Sequence, residues 1–213
     1  MTDHEFSLYD RGVAVKPLRA RQAEATRALL IDTARDLFTE QGYGATSIDD
    51  IIRQAGVARG ALYHHFPGKE ALFAAVYDVV EGEVIARVVA TALAESTPWE
   101  GVAAGLRAFL DACLEPAFRR IVILDSVSVL QWRAAEGGIE HKEMSMLRTV
   151  LTPLVTSGDL EGVPIEPLAY VALGGLYGAA LFIARAAEPA QARAEADTVL
   201  DSIIAGLRAA TAT

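Results

Sequence analysis

A chain of 213 residues, 52% hydrophobic with a mean hydropathy of +0.27, can build one or two packed domains and lies outside the composition of disordered chains. Its single cysteine, Cys113, excludes an intrachain disulfide and a thiolate metal cluster and fits a reducing, cytoplasmic setting. The net charge of −9 is unevenly spread, because positions 11–69 hold nine Lys/Arg against six Asp/Glu; a mildly basic end on an acidic body is compatible with a polyanionic partner, since such attraction is screened within about 8–10 Å.

Residues 1–20 mix acids, bases and a proline without helical periodicity and read as a flexible tail. They hold no apolar core of the length a signal peptide needs, so secretion is not expected. Arg11, Lys16, Arg19 and Arg21 are spaced as a basic arm for a DNA minor groove, although solvated surface accounts for them more simply. From about Arg21 to Gln41 the pattern is an amphipathic helix. Leu30, Ile31, Ala34, Leu37 and Phe38 share one face, Gly42 ends it, and Arg27 and Arg35 fall outside as solvated charges. Tyr43 is expected to pack beneath the next helix.

Thr46 to Leu72, TSIDDIIRQAGVARGALYHHFPGKEAL, organises the chain. Either Thr46 with Asp49 or Ser47 with Asp50 fits a capping box that opens a short helix. Ile48, Ile51 and Ile52 form its inward stripe. Gln54-Ala55-Gly56-Val57 supplies a tight turn, with Gly56 suited to the left-handed conformation that ends a helix. A second helix, about Arg59 to Phe66, buries Leu62 and Phe66 and turns Arg59, Gly60, Ala61, Tyr63, His64 and His65 outward. A small, basic and aromatic face held by a glycine turn suits a DNA major groove. Arg59 has the guanidinium fork that pairs with guanine, and Tyr63, His64 and Lys69 can donate to phosphates. The candidate DNA-binding residues are Thr46, Arg53, Ala58, Arg59, Gly60, Ala61, Tyr63, His64 and Lys69.

This stretch resembles the DNA-binding segment of the tetracycline-repressor (TetR) family. The family pattern is met at Thr46, Ile51, Ala55, Gly56, Val57, Gly60, Leu62, Tyr63, His65, Phe66, Lys69, Glu70 and Leu72. Three positions depart from it. Ile52 stands for a small alanine, and Gly68 for a serine that caps the following helix. Ala58 stands for a serine, which removes a side-chain cap worth about 0.5–2 kcal/mol.

A long helix is expected from Lys69 to about Glu95, with Leu72, Phe73, Val76, Val79, Val80, Val84 and Val88 inward and Gly82 as its one interruption. Thr97-Pro98-Trp99 opens another, to about Leu114, with proline in the first turn. After Pro116, the stretch Ala117 to Ala135 is apolar nearly all round and predicts a helix in the middle of a domain. Gly137-Gly138 reads as a loop, Ile139 to Val155 as a helix and Ser157-Gly158-Asp159 as a turn. The seventeen uncharged residues Leu168 to Ala184 make about 25 Å of helix, short of the roughly 30 Å of a bilayer core, and no membrane span is expected. Gly174, Gly175, Gly178 and Leu181 there, with Leu200, Ile203, Ile204 and Leu207 on a last helix from about Ala190 to Ala210, form two apolar faces. They suit either a monomer core or a helical dimer interface.

The predicted fold is therefore all-α: an N-terminal three-helix bundle with a helix-turn-helix, joined by a long helix to a larger C-terminal helical domain, about nine helices in total. The expected division is a tail at 1–20, a DNA-binding domain at 21–70, and an effector-binding and dimerisation domain at 71–213. The resemblance implies a homodimer formed through the last two helices, binding a palindromic double-stranded DNA operator, usually as a repressor. It also implies a small-molecule effector held in the larger domain. An activator or an effector-independent DNA-binding protein of the same fold is the second reading. Aromatic and polar residues within the apolar helices are the candidate ligand contacts: Trp99, Phe109, Cys113, Phe118, Asp125, Gln131, Trp132, Met144, Tyr170 and Tyr177. Ordinary core packing is the competing account of each. Mostly apolar walls favour a hydrophobic or aromatic molecule. No nucleophile motif, H-E-x-x-H or phosphate loop is present, and His64-His65 lack an i+4 partner. Neither enzyme activity, a cofactor nor a metal is expected.

Overall fold

The computed structural model describes residues 18–130 and 140–211. All regular structure among them is helical: α1 (Leu18–Gln41), α2 (Ile48–Ala55), α3 (Arg59–His65), α4 (Lys69–Leu93), α5 (Pro98–Ala112), α6, α7 (Glu140–Thr156), α8 (Ile165–Arg185) and α9 (Pro189–Thr211). α6 is a π-helical stretch, Phe118–Asp125, that continues into one α-helical turn, Ser126–Val129. α1 begins at Leu18, three residues before its expected start, so Arg19 stands in a helix rather than in the tail. The expectations for residues 1–17, for Gln131 and Trp132 and for Gly137-Gly138 lie outside the described residues.

Local chemistry sets the ends of the first helices. Of the two possible capping boxes the chain uses Ser47 and Asp50. The Ser47 hydroxyl accepts from the Asp50 N–H, and the Asp50 carboxylate accepts from the Ser47 N–H. Gly56 takes φ 66° and closes α2 in the left-handed region. Ala58, as expected, gives α3 no side-chain cap. α1 packs across α2 and α3, and Leu30, Ala34, Phe38, Ile51, Leu62 and Phe66 close the core between them. Arg27 and Arg35 are not simply solvated. Arg27 lays its guanidinium 5.2 Å over the Phe66 ring, and Arg35 forms a bidentate pair with Glu83 at 3.0 and 2.9 Å. Both bind α1 to its neighbours.

α4 runs unbroken through Gly82. Its buried side carries Leu72, Phe73, Val76, Val80, Val84 and Val88 as expected, but Tyr77 and Glu81 as well. Val79, expected inside, is 37% exposed: a stripe through 73, 76, 77, 80, 81 and 84 leaves position 79 on its flank. α5 opens on Thr97, which caps the Glu100 N–H, with Pro98 in the first turn. It crosses α4 closely, because a side chain at Gly101 would stand 2.5 Å from the Ala92 carbonyl oxygen. α6 is less enclosed than its composition suggests. Ile121, Val122 and Ile123 are buried, while Val127 is 56% exposed. α8 packs on α6, α7 and α9 through Ala169, Leu176, Ala180, Ile183 and Ala184. Among the described helices it is the one long and apolar enough, by length and composition, to cross a membrane. α9 is tied to α5 by ion pairs from Arg107 to Asp197 and Asp201 and from Arg193 to Asp111.

Two helix glycines separate packing from propensity. Gly101→Ala forces a methyl group into the α4 backbone and is expected to destabilise the fold by about 1–3 kcal/mol. Gly82→Ala meets nothing within 4 Å and is expected to stabilise it by up to about 1 kcal/mol. Denaturant unfolding of both variants checks the pair.

Candidate nucleic-acid interface and internal cavity

The exposed face of α2 and α3 rests on Ile51 and Leu62, both fully buried. Outward from this base stand Arg53, Arg59, Gly60, Tyr63 and His64, all exposed, with Ala58 beside them and Ala61 half-buried. Nothing would meet a side chain at Gly60, so a flat partner can approach the backbone there. Arg59 pairs with Asp49 and Arg53 with Asp50. Two of the expected contact residues play structural parts. Thr46 is 1% exposed, and its hydroxyl donates to the carbonyls of Gly42 and Leu37 at 2.9 and 3.3 Å. It pins the α1–α2 turn and has no surface to offer DNA. Lys69 is half-buried, with its ammonium 4.1 Å above the Tyr43 ring and donating to the Tyr43 and Thr46 carbonyls at 2.8 and 2.9 Å.

Tyr43 lies where α1, α4 and α6 meet. Its ring stacks edge-on against Phe73 at 5.0 Å and tilts against Phe38 at 5.8 Å. Its backbone N–H donates to Asp125 of α6 at 2.8 Å, and Arg120 donates to the same carboxylate oxygen at 3.3 Å. The Arg120 guanidinium then lies across Gly42, whose φ of 80° and bare Cα leave room for it. α6 thus holds the turn that carries α2.

The opposite side of α6 lines a small cavity of about 30 Å³, walled by Glu81, Val84, Ile85, Phe109, Phe118, Val122, Ile123, Glu143, Met146, Leu173, Leu176 and Tyr177. The space suits one or two waters as it stands. The walls are apolar apart from one polar edge. There Glu81, 3% exposed, accepts the Tyr77 hydroxyl at 2.6 Å and the Lys142 ammonium at 3.3 Å, while Lys142 also donates to Asp78 at 2.7 Å. Burial raises the Glu81 carboxyl above its ordinary range, partly offset by Tyr77 and Lys142. Burial, then Glu143 and Glu81, likewise raises the Tyr177 phenol. The π-helical turn brings Phe118, Val122 and Ile123 onto this one wall, and the Ser126 hydroxyl donates to the Val122 carbonyl at 2.5 Å. Such insertions recur at functional sites.

Of the expected ligand contacts, Phe109, Phe118 and Tyr177 line the cavity. Asp125 serves the α1–α6 seam. Trp99 is buried beneath Arg208, whose guanidinium lies 5.7 Å over its ring. Cys113 is buried and donates to the Phe109 carbonyl at 3.3 Å; burial, then Asp111, pushes its thiol up to about 12. Met144 is buried away from the cavity, where Met146 stands instead, and Tyr170 is 53% exposed. Gln131 and Trp132 lie outside the described residues. Sequence reasoning missed Glu81, Glu143 and the aliphatic walls. An acid inside an otherwise apolar stripe of α4 was the one signal that pointed to Glu81.

The expected interface glycines Gly174, Gly175 and Gly178 are exposed, with open space where a side chain would stand. Leu181, Leu200 and Leu207 are half-buried and Ile203 is 55% exposed, whereas Ile204 turns into the core. Tyr170, Val171, Phe182 and Val199 extend the same exposed apolar surface of α8 and α9.

The chain matches two family models: "Bacterial regulatory proteins, tetR family" over residues 30–76 and "Tetracyclin repressor-like, C-terminal domain" over residues 99–207. The transcriptional regulator SrpR of Pseudomonas putida is 32% identical over 159 residues, 66% of each chain. Matches to the first curated relatives span between 30% and 66% of those relatives' length. A TetR-family transcriptional regulator from Pectobacterium atrosepticum superposes with a TM-score of 0.79 at 34% identity, covering 90% of this chain and 97% of that one. The regulator FadR of Bacillus subtilis, solved with stearoyl-CoA, has the same fold, with a TM-score of 0.69 at 23% identity, covering 84% of this chain and 98% of that one.

The buried carboxyl gives the stability a definite pH slope. Because the Glu81 pKa is raised on folding from 4.5, the native state binds this proton more tightly than the unfolded state. That contribution is full below about 4.5 and is lost as pH rises through the folded value. Glu81→Gln keeps an acceptor for Tyr77 and carries no charge. Its melting temperature relative to the parent is therefore expected to climb between pH 4 and pH 7 in scanning calorimetry, and a falling difference would contradict the assignment.

Proposed function

This chain belongs to the tetracycline-repressor (TetR) family of transcriptional regulators, and on that premise we propose that it is a ligand-responsive repressor. In this reading two copies bind a palindromic operator and leave it when a small apolar molecule enters the larger helical domain. Residues 21–70 serve as the DNA-binding domain and residues 71–213 as the effector-binding and dimerisation domain, in the cytoplasm. The observation that carries the proposal is the α2–α3 face, where exposed Arg59, Tyr63 and His64 stand beside Gly60 on buried Ile51 and Leu62. Seated in a major groove, α3 brings Arg59 to base edges and Tyr63 and His64 to the backbone.

The exposed apolar surface of α8 and α9 supports dimerisation. Tyr170, Val171, Phe182, Val199 and Ile203 would leave water against a second copy, with Gly174, Gly175 and Gly178 allowing close helix approach. The pairing of Arg148 with Glu166 at the start of α8, and the packing of that helix on α7 and α9, favour a protein partner over a bilayer.

The cavity supports the effector half of the reading, as does FadR, a fold relative whose structure holds stearoyl-CoA. The cavity is smaller than the roughly 300 Å³ of an ordinary ligand site, so an occupant must part its walls. α6 is the wall with a second attachment. Moving it pulls on Asp125, and through Asp125 on the Tyr43 N–H and the turn leading into α2. Lys69 passes the same displacement to Thr46.

Selection from a random duplex library at one stated salt concentration tests the DNA half. A palindrome is expected, and Arg59→Ala is expected to weaken its binding by about tenfold or more, the size of a bidentate guanine contact. Recovery of no motif would overturn the reading. The coupling has its own test. Leu173→Phe fills the cavity from α8 and is expected to lower operator affinity by about tenfold with the fold retained, a cost of about 1.4 kcal/mol. Adding Asp125→Ala is expected to restore most of it in the same titration.

A further inference from the structure

The DNA-reading face meets solvent with its arginines already neutralised. Arg59 pairs with Asp49 and Arg53 with Asp50, both acids standing in the first turn of α2, and the Lys69 ammonium is spent on two carbonyls. The two carboxylates are held differently. Asp50 is built into the helix: it accepts the Ser47 hydroxyl at 2.6 Å and the Ser47 N–H at 3.1 Å, and those bonds hold its carboxyl below the usual range. Asp49 has no part in the cap. Its side chain is 63% exposed, and it reaches across from α2 to the first residue of α3 to take one nitrogen of a guanidinium that is itself 55% exposed.

An arginine in that state treats phosphate and base unequally. A phosphate contact gains affinity by neutralising charge and releasing counterions. Here the carboxylate has already supplied the counter-charge and repels the incoming phosphate. A guanine edge is uncharged and needs only two aligned N–H donors. The guanidinium has five in a rigid plane, and Asp49 uses a single nitrogen of them, so a paired Arg59 can still present donors to a base. We propose that Asp49 is a specificity-determining residue of the α2–α3 face, which through its pair with Arg59 withholds that cation from phosphates and orients it for a base edge.

This inference rests on the reading of α2–α3 as the DNA-reading face. The test measures dissociation constants of the full chain for the selected operator and for a scrambled duplex of equal length, across a salt series. The variants are Asp49→Asn, Asp49→Glu and Arg59→Ala, together with the Asp49→Asn/Arg59→Ala double variant. Asp49→Asn is expected to tighten scrambled-duplex binding by about three- to tenfold and to steepen its salt slope by about one phosphate contact. Operator affinity is expected to hold or fall, so the operator-to-scrambled ratio drops at least about fivefold. Asp49→Glu, which keeps the charge, is expected to recover most of the ratio. In the Arg59→Ala background most of the effect of Asp49→Asn on the ratio is expected to vanish. An equal tightening of both duplexes, or a ratio unchanged by Asp49→Asn, overturns the proposal while leaving the face itself in place. If Arg59→Ala alters neither duplex, or no motif is selected, the reading of the face fails and the inference falls with it.

Discussion

The continuous burial of one side of α4 is the constraint from which the rest of the molecule follows. Twenty-five residues without a break make a rod of about 38 Å at 1.5 Å per residue. Leu72, Phe73 and Val76 close it against α1 at one end, and Val84 and Val88 carry it into the larger domain at the other. A rod packed along its length has no soft point at which to absorb a displacement. α6 gives the two ends a second connection, through Asp125 and the Tyr43 N–H. Two attachments to the base of α2 mean that α2 and α3 cannot reorient independently of the helices around the cavity.

The same stripe accepts an expensive residue. Glu81 takes a carboxyl group almost wholly out of water, a loss that its bonds to Tyr77 and Lys142 offset in part. The result is one polar edge in an otherwise apolar enclosure. Apolar walls supply most of the favourable free energy for any occupant, and a few fixed polar groups dictate its orientation. A hydrogen-bonded polar edge also reduces the penalty that a bare buried carboxylate would impose on the empty state.

What could be read from the sequence was whatever local chemistry decides. The Ser47–Asp50 box, the left-handed Gly56, the uncapped start of α3 at Ala58 and the inward Leu62 all depend on partners within a few residues, and all were legible, although two boxes remained open until the backbone chose one. The features that escaped depend on residues far apart in the chain. Asp125 meets Tyr43 across 82 positions, and Lys142 meets Glu81 across 61. No periodicity reports such pairings. Thr46, a candidate cap and DNA contact by its sequence, spends its hydroxyl on the preceding turn. Val79 departs from its expected place because the six valines of α4 look alike in sequence until the neighbours fix the rotation of the helix. The cavity was the least legible feature: three of its walls were named through their aromatic rings, and aliphatic side chains carry no mark that separates a cavity wall from a core.

Cys113 carries a consequence of a different kind. Its sulfur is fully buried and its pKa is pushed up to about 12, so at neutral pH the reactive thiolate is a fraction on the order of one part in 10⁵. Peroxides and electrophiles attack the thiolate and need access to it, and here they find neither. The only cysteine of the chain is thereby silenced as a redox sensor. Changes in the redox state of the surroundings are therefore not transmitted to the helices around α5 through this sulfur.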